Sequence, residues 1–338
     1  MKSLTTLILL ILAGNAIAQS TDSASFYYKM GLDEKNAKHW LVASSCFEKA
    51  IHFNPGFTEA YLENANVNNE MRRTNEAIRD YEKVYQMDPA NSTAGPALME
   101  LYFGYHQYQK ALDFALACKT CANAERIAAL SYYKLEDYSN AEKALLKLVR
   151  TNPGDAELLY TLGHTYMDME LEKKAITYYQ KAVQLDATHD QWFFELGLLC
   201  FNNQDFKNAV INFNLAAEKG FTQSLDFQEN LGFAYIYSNE FDKGEKILQS
   251  VIEKKRGSKE IMRDLAQACY DQGMYDKSLD YCQKLMELDM KDGKALYQAG
   301  LCFIKKNQVE RGQQMCDRAI ELDPSLAPLK QKKMITGL

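Results

Sequence analysis

A compact residue returns along this chain at Ala43, Ala77, Ala111, Ala141, Ala175, Ala209, Gly244, Ser278 and Gly312. Seven of the eight steps are 34 or 35 residues, and the step from Ala111 to Ala141 is 30. A fixed period of this length is the signature of one supersecondary unit stacked on its own copies. It constrains the fold more tightly than length does, because 338 residues could equally fill two ordinary domains.

Two further series run in register with the first. Four residues on stand Phe47, Tyr81, Ala115, Leu145, Tyr179, Phe213, Leu248, Cys282 and Cys316; seven on stand Ala50, Val84, Cys118, Leu148, Ala182, Ala216, Val251, Leu285 and Ala319. These offsets put all three series on one face of a helix. Twelve residues before the compact position lies another small residue in most copies, from Gly31 and Ala65 to Gly163, Gly197, Gly232 and Gly300, with Met99 as the exception in the shortened copy. Small residues on facing helices let two backbones approach, so each copy is expected to hold a first helix packed antiparallel on the second. Asn54-Pro55, Asp88-Pro89, Asn152-Pro153 and Asp323-Pro324 close second helices, and they account for four of the six prolines. Proline cannot continue a helix and disfavours helix in the residue before it.

This pattern resembles the tetratricopeptide repeat family: an aromatic, Leu-Gly, a Tyr three residues on, then Ala, an aromatic and Ala, closed by Pro. The copy carrying Leu159, Leu162-Gly163, Tyr166, Ala175, Tyr179 and Ala182 matches nearly throughout. Phe193, Leu196-Gly197, Ala209, Phe213 and Ala216 match in part, as do Leu231-Gly232 and Tyr235. The resemblance implies an all-α chain, a right-handed α-solenoid or superhelix of about nine tetratricopeptide-type helix pairs. The expected copies are 24–57, 58–91, 92–121, 122–155, 156–189, 190–224, 225–258, 259–292 and 293–326. Residues 327–338, with Leu329, Met334 and Ile335, are expected to form a capping helix or tail.

The first eighteen residues read as a secretory leader: Lys2, an apolar run from Leu7 to Ala13, and a small-x-small site at Ala16-Ile17-Ala18. Residues 19–23 are polar and expected to be disordered. The expected location is exported, periplasmic in a diderm bacterium and secreted otherwise, with no integral membrane span after the leader is removed. Removing Lys2 from the 39 basic residues leaves 38 against 45 acidic ones, a net charge of −7. That sign argues against nucleic acid as a partner.

In the family the first helix of each pair lines a concave groove. Counting from each small residue places Phe103, Tyr133, Tyr160, His164, Met167, Phe194, Leu198, Phe201, Phe233, Ile236, Tyr237 and Tyr270 off the packed face. Exposed apolar and aromatic surface of this extent marks interaction sites. A second reading leaves several of these residues half-buried between copies. The Lys and Asn clamp that grips a C-terminal carboxylate in some members is not repeated here, so an apolar or aromatic segment of a protein or peptide partner is the expected ligand.

Eight cysteines in an exported chain are enough for disulfides. Cys118 and Cys121 are the candidate pair, and Cys269 with Cys282 and Cys302 with Cys316 are placed to approach across one helix pair. A thiol-redox role for Cys118 and Cys121 is an alternative, although reactive pairs rely on a helix N-terminus and this one ends a helix. The five histidines lack ligand spacing, no catalytic motif is present, and neither metal nor cofactor is expected. The sequence therefore reads as a non-enzymatic binding scaffold or adaptor, with envelope assembly or secretion as its setting. A self-assembling structural element is the third reading.

Overall fold

The computed structural model describes residues 22–118, 121–255 and 258–329. The expected leader, residues 19–21 of the polar segment and residues 330–338 of the expected cap lie outside the described residues. Among the described residues the chain is helical and contains no strand. It divides into two compact units, one ending at Leu171 and the other beginning at Glu172. That boundary falls inside the copy expected at 156–189.

The first unit holds α1 (22–36), α2 (Trp40–Phe53), α3 (Thr58–Glu70), α4 (Thr74–Met87), α5 (Ala94–Gly104), α6 (Tyr108–Ala117), α7 (Ala124–Lys134), α8 (Tyr138–Thr151) and α9 (Ala156–Asp168). The second holds α10 (Glu172–Leu185), α11 (Asp190–Asn202), α12 (Phe206–Glu218), α13 (Leu225–Tyr237), α14 (Phe241–Lys254), α15 (Lys259–Asp271), α16 (Tyr275–Leu288), α17 (Gly293–Lys305) and α18 (Val309–Leu322), followed by a 3-10 turn at Pro324–Leu326. Residues 22 and 23, expected to be disordered, already belong to α1.

The packed faces are those the periodicity marks. Ala43, Ala77, Ala111, Ala141, Ala175 and Ala209 are each fully buried, as are Phe47, Leu145, Tyr179, Phe213 and Leu248 four residues later. Small residues do bring backbones together: a Cβ built on Gly244 would stand 2.4 Å from the carbonyl oxygen of Gly232, and one on Gly312 would stand 2.4 Å from that of Gly300. No side chain larger than hydrogen fits either position without parting the pair.

Each helix pair turns on a residue in the left-handed region, seven positions after the small residue of the first helix. These are Lys38, Arg72, His106, Glu136, Glu170, Gln204, Asn239 and Asn307, with φ between 57° and 70°, and Gly273 at 76°. The next amide reaches back over the turn to a carbonyl five residues earlier, as from Gln107 to Tyr102 at 2.9 Å and from Met274 to Cys269 at 2.8 Å. This Schellman closure satisfies carbonyls that the helix end would otherwise leave unpaired. At the other end of the pair, Asn54, Asp88, Asp289 and Asp323 leave helical geometry, and their side chains accept from the amide two residues on at 3.1 Å.

The shortened copy loses one turn from its second helix. Most second helices have 14 residues, whereas α6 has 10. The four missing residues correspond to about one 3.6-residue turn. Cys118 occupies the terminating position and is bonded to Cys121, with their Cα atoms 5.6 Å apart.

Candidate functional site

The twelve groove candidates divide between the two units. In the first, Phe103, Tyr133, Tyr160, His164 and Met167 are half-buried on α5, α7 and α9. Tyr133 and Tyr160 both meet the His164 ring, at centroid distances of 6.2 Å and 4.7 Å, so α7 and α9 share a three-ring cluster. In the second unit, Phe194, Leu198, Phe201, Tyr237 and Tyr270 are half-buried on α11, α13 and α15. Phe194 turns towards the core, stacked on Phe221 at 4.3 Å and close to Phe213 and Phe227.

Phe233 and Ile236 correct the sequence reading. Phe233 is 8% exposed and Ile236 is fully buried, both within the core of the second unit. Gly244 on the facing helix has no Cβ, and a Cβ there would lie 2.8 Å from Cγ1 of Ile236. Ile236 occupies that space within the core of the second unit, where α13 buries Phe227, Leu231, Phe233, Ala234 and Ile236 at once.

A second set of aromatics completes the site and was not counted from the first helices. Phe103 meets Tyr108 edge-on at 5.5 Å, Phe201 meets Phe206 at 5.4 Å, and Tyr270 meets Tyr275 at 5.6 Å; Tyr133 and Tyr138 are tilted at 6.2 Å. In each pair the first ring ends a first helix and the second begins the following helix. Tyr237 joins this arrangement from α13, stacked on Phe206 at 4.9 Å. The signal was available in the sequence: an aromatic three residues before the compact position recurs at Trp40, Tyr108, Tyr138, Phe206, Phe241 and Tyr275.

Burial raises the Tyr237 hydroxyl above its ordinary range, with Asp271 and Asp264 adding to the shift. Burial also raises Asp264, reinforced by Glu229 and Glu260. The first-helix face of α13 and α15 thus combines aromatic rings with closely spaced carboxylates.

Besides the Cys118–Cys121 disulfide, six cysteines are free and buried, so the expected approach of Cys269 to Cys282 and of Cys302 to Cys316 produces no bond. Burial pushes the thiols of Cys200, Cys269 and Cys282 up to about 12. They serve as small apolar fillers. Among the described residues there is no cluster of three or more metal-ligating side chains, and no helix is long and apolar enough to cross a membrane.

Two family models, each described as tetratricopeptide repeat, match the chain, one at residues 58–91, 156–189 and 293–326 and the other at 230–293. The chain is a tetratricopeptide repeat protein. Such proteins generally mediate protein–protein interaction and are generally not enzymes. Among curated relatives of this repeat protein, the DnaJ protein P58IPK homolog A of Oryza sativa subsp. japonica is 23% identical over 184 residues, covering 49% of this chain and 39% of the relative. The DnaJ protein P58IPK homolog of Arabidopsis thaliana is 21% identical over 299 residues, covering 83% and 58%. The chain thus spans between 39% and 58% of the length of these relatives. A solved structure of YrrB, described as a TPR protein with an unusual peptide-binding site, is 23% identical with a TM-score of 0.40, covering 57% of this chain and all of YrrB.

Proposed function

We propose that this tetratricopeptide repeat protein is an interaction scaffold that holds a segment of a protein partner against the first helices of the second unit, with the first unit offering a face of the same kind. The observation that supports this most directly is the recurring ring pair at the turn between helices. Phe103 with Tyr108, Tyr133 with Tyr138, Phe201 with Phe206 and Tyr270 with Tyr275 stand at one register and remain partly open to solvent. Rings braced by a neighbouring ring offer contact area with little side-chain entropy left to lose on binding. Beside Tyr237 and Tyr270, the carboxylates of Asp264 and Asp271 favour a segment that pairs apolar side chains with Lys or Arg. The secretory leader read from residues 1–18 supports a setting outside the cytoplasm, and envelope assembly or secretion is the setting we propose.

The test compares the wild-type chain with Phe201→Asp by crosslinking in the native compartment, followed by titration of the captured partner's segment as a synthetic peptide. The reading expects the peptide to bind wild type and to lose at least about tenfold in affinity for the variant, which corresponds to roughly 1.4 kcal/mol. Equal binding to both proteins removes the first-helix face from consideration.

A further inference from the structure

Eight residues before the register position held by Met99, Gly163, Gly232 and Gly300 stands a side chain that caps the first helix. Asn91 accepts from the amide of Ala94 at 2.9 Å, Asp155 from Leu158 at 3.0 Å, Ser224 from Phe227 at 3.1 Å and Asp292 from Ala295 at 3.0 Å. Ahead of Ala129 the same position holds Cys121. Its carbonyl accepts from the amide of Ala124 at 3.1 Å, so the chain enters α7 through one 3-10 turn that begins at Cys121. Asn123, next to α7, makes no side-chain capping bond. The sulfur of Cys121 therefore takes the place of a capping oxygen at the positive end of α7, which favours a thiolate.

Its bonded partner sits at the opposite pole. Cys118 ends α6, where the last carbonyls disfavour an anion. The sequence shows Cys118 closing one helix, and the structure adds that Cys121 opens the next. α6 has 10 residues, whereas the second helices before and after it, α4 and α8, have 14, so a notch opens on each side of its end. Two clefts of about 690 Å³ each occupy the notch, and Cys118 and Cys121 line both. Tyr85, Met99 and Phe114 form part of one wall, Leu148 and Arg126 part of the other. Both cysteines are half-buried, whereas the other six are buried. The bond can thus be approached from two sides without opening the core.

We infer that Cys118 and Cys121 form a thiol–disulfide exchange site, which takes an incoming thiolate on Cys118 and releases Cys121. The incoming sulfur bonds to Sγ of Cys118, the Cys118–Cys121 bond breaks, and its electron pair leaves on Cys121, where the first amides of α7 receive it. A second thiolate then attacks the incoming sulfur, forms a disulfide with it and frees Cys118. Two electrons have passed from the two thiolates to the protein, and Cys118 and Cys121 take their protons from water. Exchange runs fastest when the departing sulfur is the weaker base, which selects Cys121 as the leaving group. The thiolate belongs either to a small thiol or to a cysteine in a peptide segment. This site lies apart from the ring pairs of the first helices, so it stands or falls independently of them.

Mass spectrometry tests the exchange on the full chain, air-oxidised and folded. One arm receives reduced glutathione and the other an apolar peptide containing one cysteine; both are quenched with iodoacetamide and mapped. The expected product carries the incoming sulfur on Cys118 and a carbamidomethyl group on Cys121, with the buried cysteines unmodified and circular dichroism unchanged. An adduct in either arm supports the inference, and the faster arm names the source of the thiolate. Single variants test the polarity. Cys121 in Cys118→Ser is expected to alkylate at least about threefold faster at neutral pH than Cys118 in Cys121→Ser, because the gain in thiolate fraction exceeds the loss in nucleophilicity. Equal rates overturn the inference, as does an adduct found on Cys121. A bond that neither thiol opens while the chain stays folded overturns it too, and so does a pair that remains free after air oxidation.

Discussion

Arg263 on α15 and Asp292 at the start of α17 meet at 2.8 Å, and the second oxygen of the same carboxylate accepts from the amide of Ala295 at 3.0 Å. One buried aspartate therefore caps a helix and pins the preceding first helix to it. Arg126 repeats the arrangement in the first unit by pairing with Asp155, which caps α9 through Leu158. Because Asp292 does both tasks, Asp292→Ala is expected to destabilise the second unit by about 2 kcal/mol, combining a lost cap with a lost charge-assisted bond. Arg263→Ala keeps the cap but leaves the buried Asp292 carboxylate without its cation, and because Arg263 itself is partly exposed the loss is expected to be smaller, about 1 kcal/mol. Urea denaturation of both variants decides this; an equal loss would mean that the cap contributes nothing.

Gly273 is the one glycine among the nine left-handed turn residues. Its φ of 76° is accessible to glycine without strain, whereas an L side chain in this region crowds the following carbonyl at about 1–2 kcal/mol. Gly273→Ala is expected to lower the stability of the second unit by about 1 kcal/mol. Glu136→Gly, at a φ of 61°, is expected to change the stability of the first unit much less, because relief of strain is offset by a more flexible unfolded chain. Thermal melts of both variants check the contrast.

The helix pairs were legible from the sequence because burial and close approach select residue types at fixed offsets. Ala43 and Phe47 cannot be exchanged for larger or polar side chains without parting the helices. The first-helix face was less legible, since its residues are constrained only by neighbours on the next helix. Ile236 shows the difficulty: it is fully buried facing Gly244, whereas Ile304, at the same register and facing Gly312, stays half-buried, so the residue types alone do not set burial there. The partner rings Tyr108, Tyr138, Phe206 and Tyr275 formed a periodic series of their own, but they lie on second helices and so fall outside a count made along the first. The division at Leu171 left no composition signal, because the copy that contains it is the best match to the repeat pattern.

Asp80 gives the first unit a pH dependence. It is 2% exposed and accepts from Asn64 at 2.7 Å, from Asn68 at 3.4 Å and from Arg79 at 3.2 Å. Burial raises its carboxyl above the usual value, and Arg79 with the two amides opposes this only in part. A carboxyl with a raised folded-state pKa binds its proton more tightly in the folded chain. Its contribution to stability is therefore fullest below the unfolded-state value, near 3.9, and declines as pH rises through the folded-state value. Asp80→Asn is expected to flatten this decline. Melting temperatures of wild type and variant between pH 4 and 7 test it, and parallel curves would show that Asp80 is not the source.

Phe201 and Ile236 separate binding surface from core within one unit. Phe201 is half-buried, resting edge-on against Phe206, with Tyr237 beside it, and solvent reaches its remaining face. Phe201→Asp can turn its carboxylate outwards, so it is expected to cost about 1 kcal/mol or less while abolishing partner binding. Ile236 has no exposed surface, and the space over Gly244 has no room for water. Ile236→Asp places an unpaired charge there and is expected to cost 3 kcal/mol or more, at about the scale of breaking a buried ion pair. Circular dichroism with denaturant, read beside partner titration, gives both quantities for each variant. If Phe201→Asp unfolds the second unit as severely as Ile236→Asp, Phe201 is a core residue, and its effect on binding says nothing about where a partner lies.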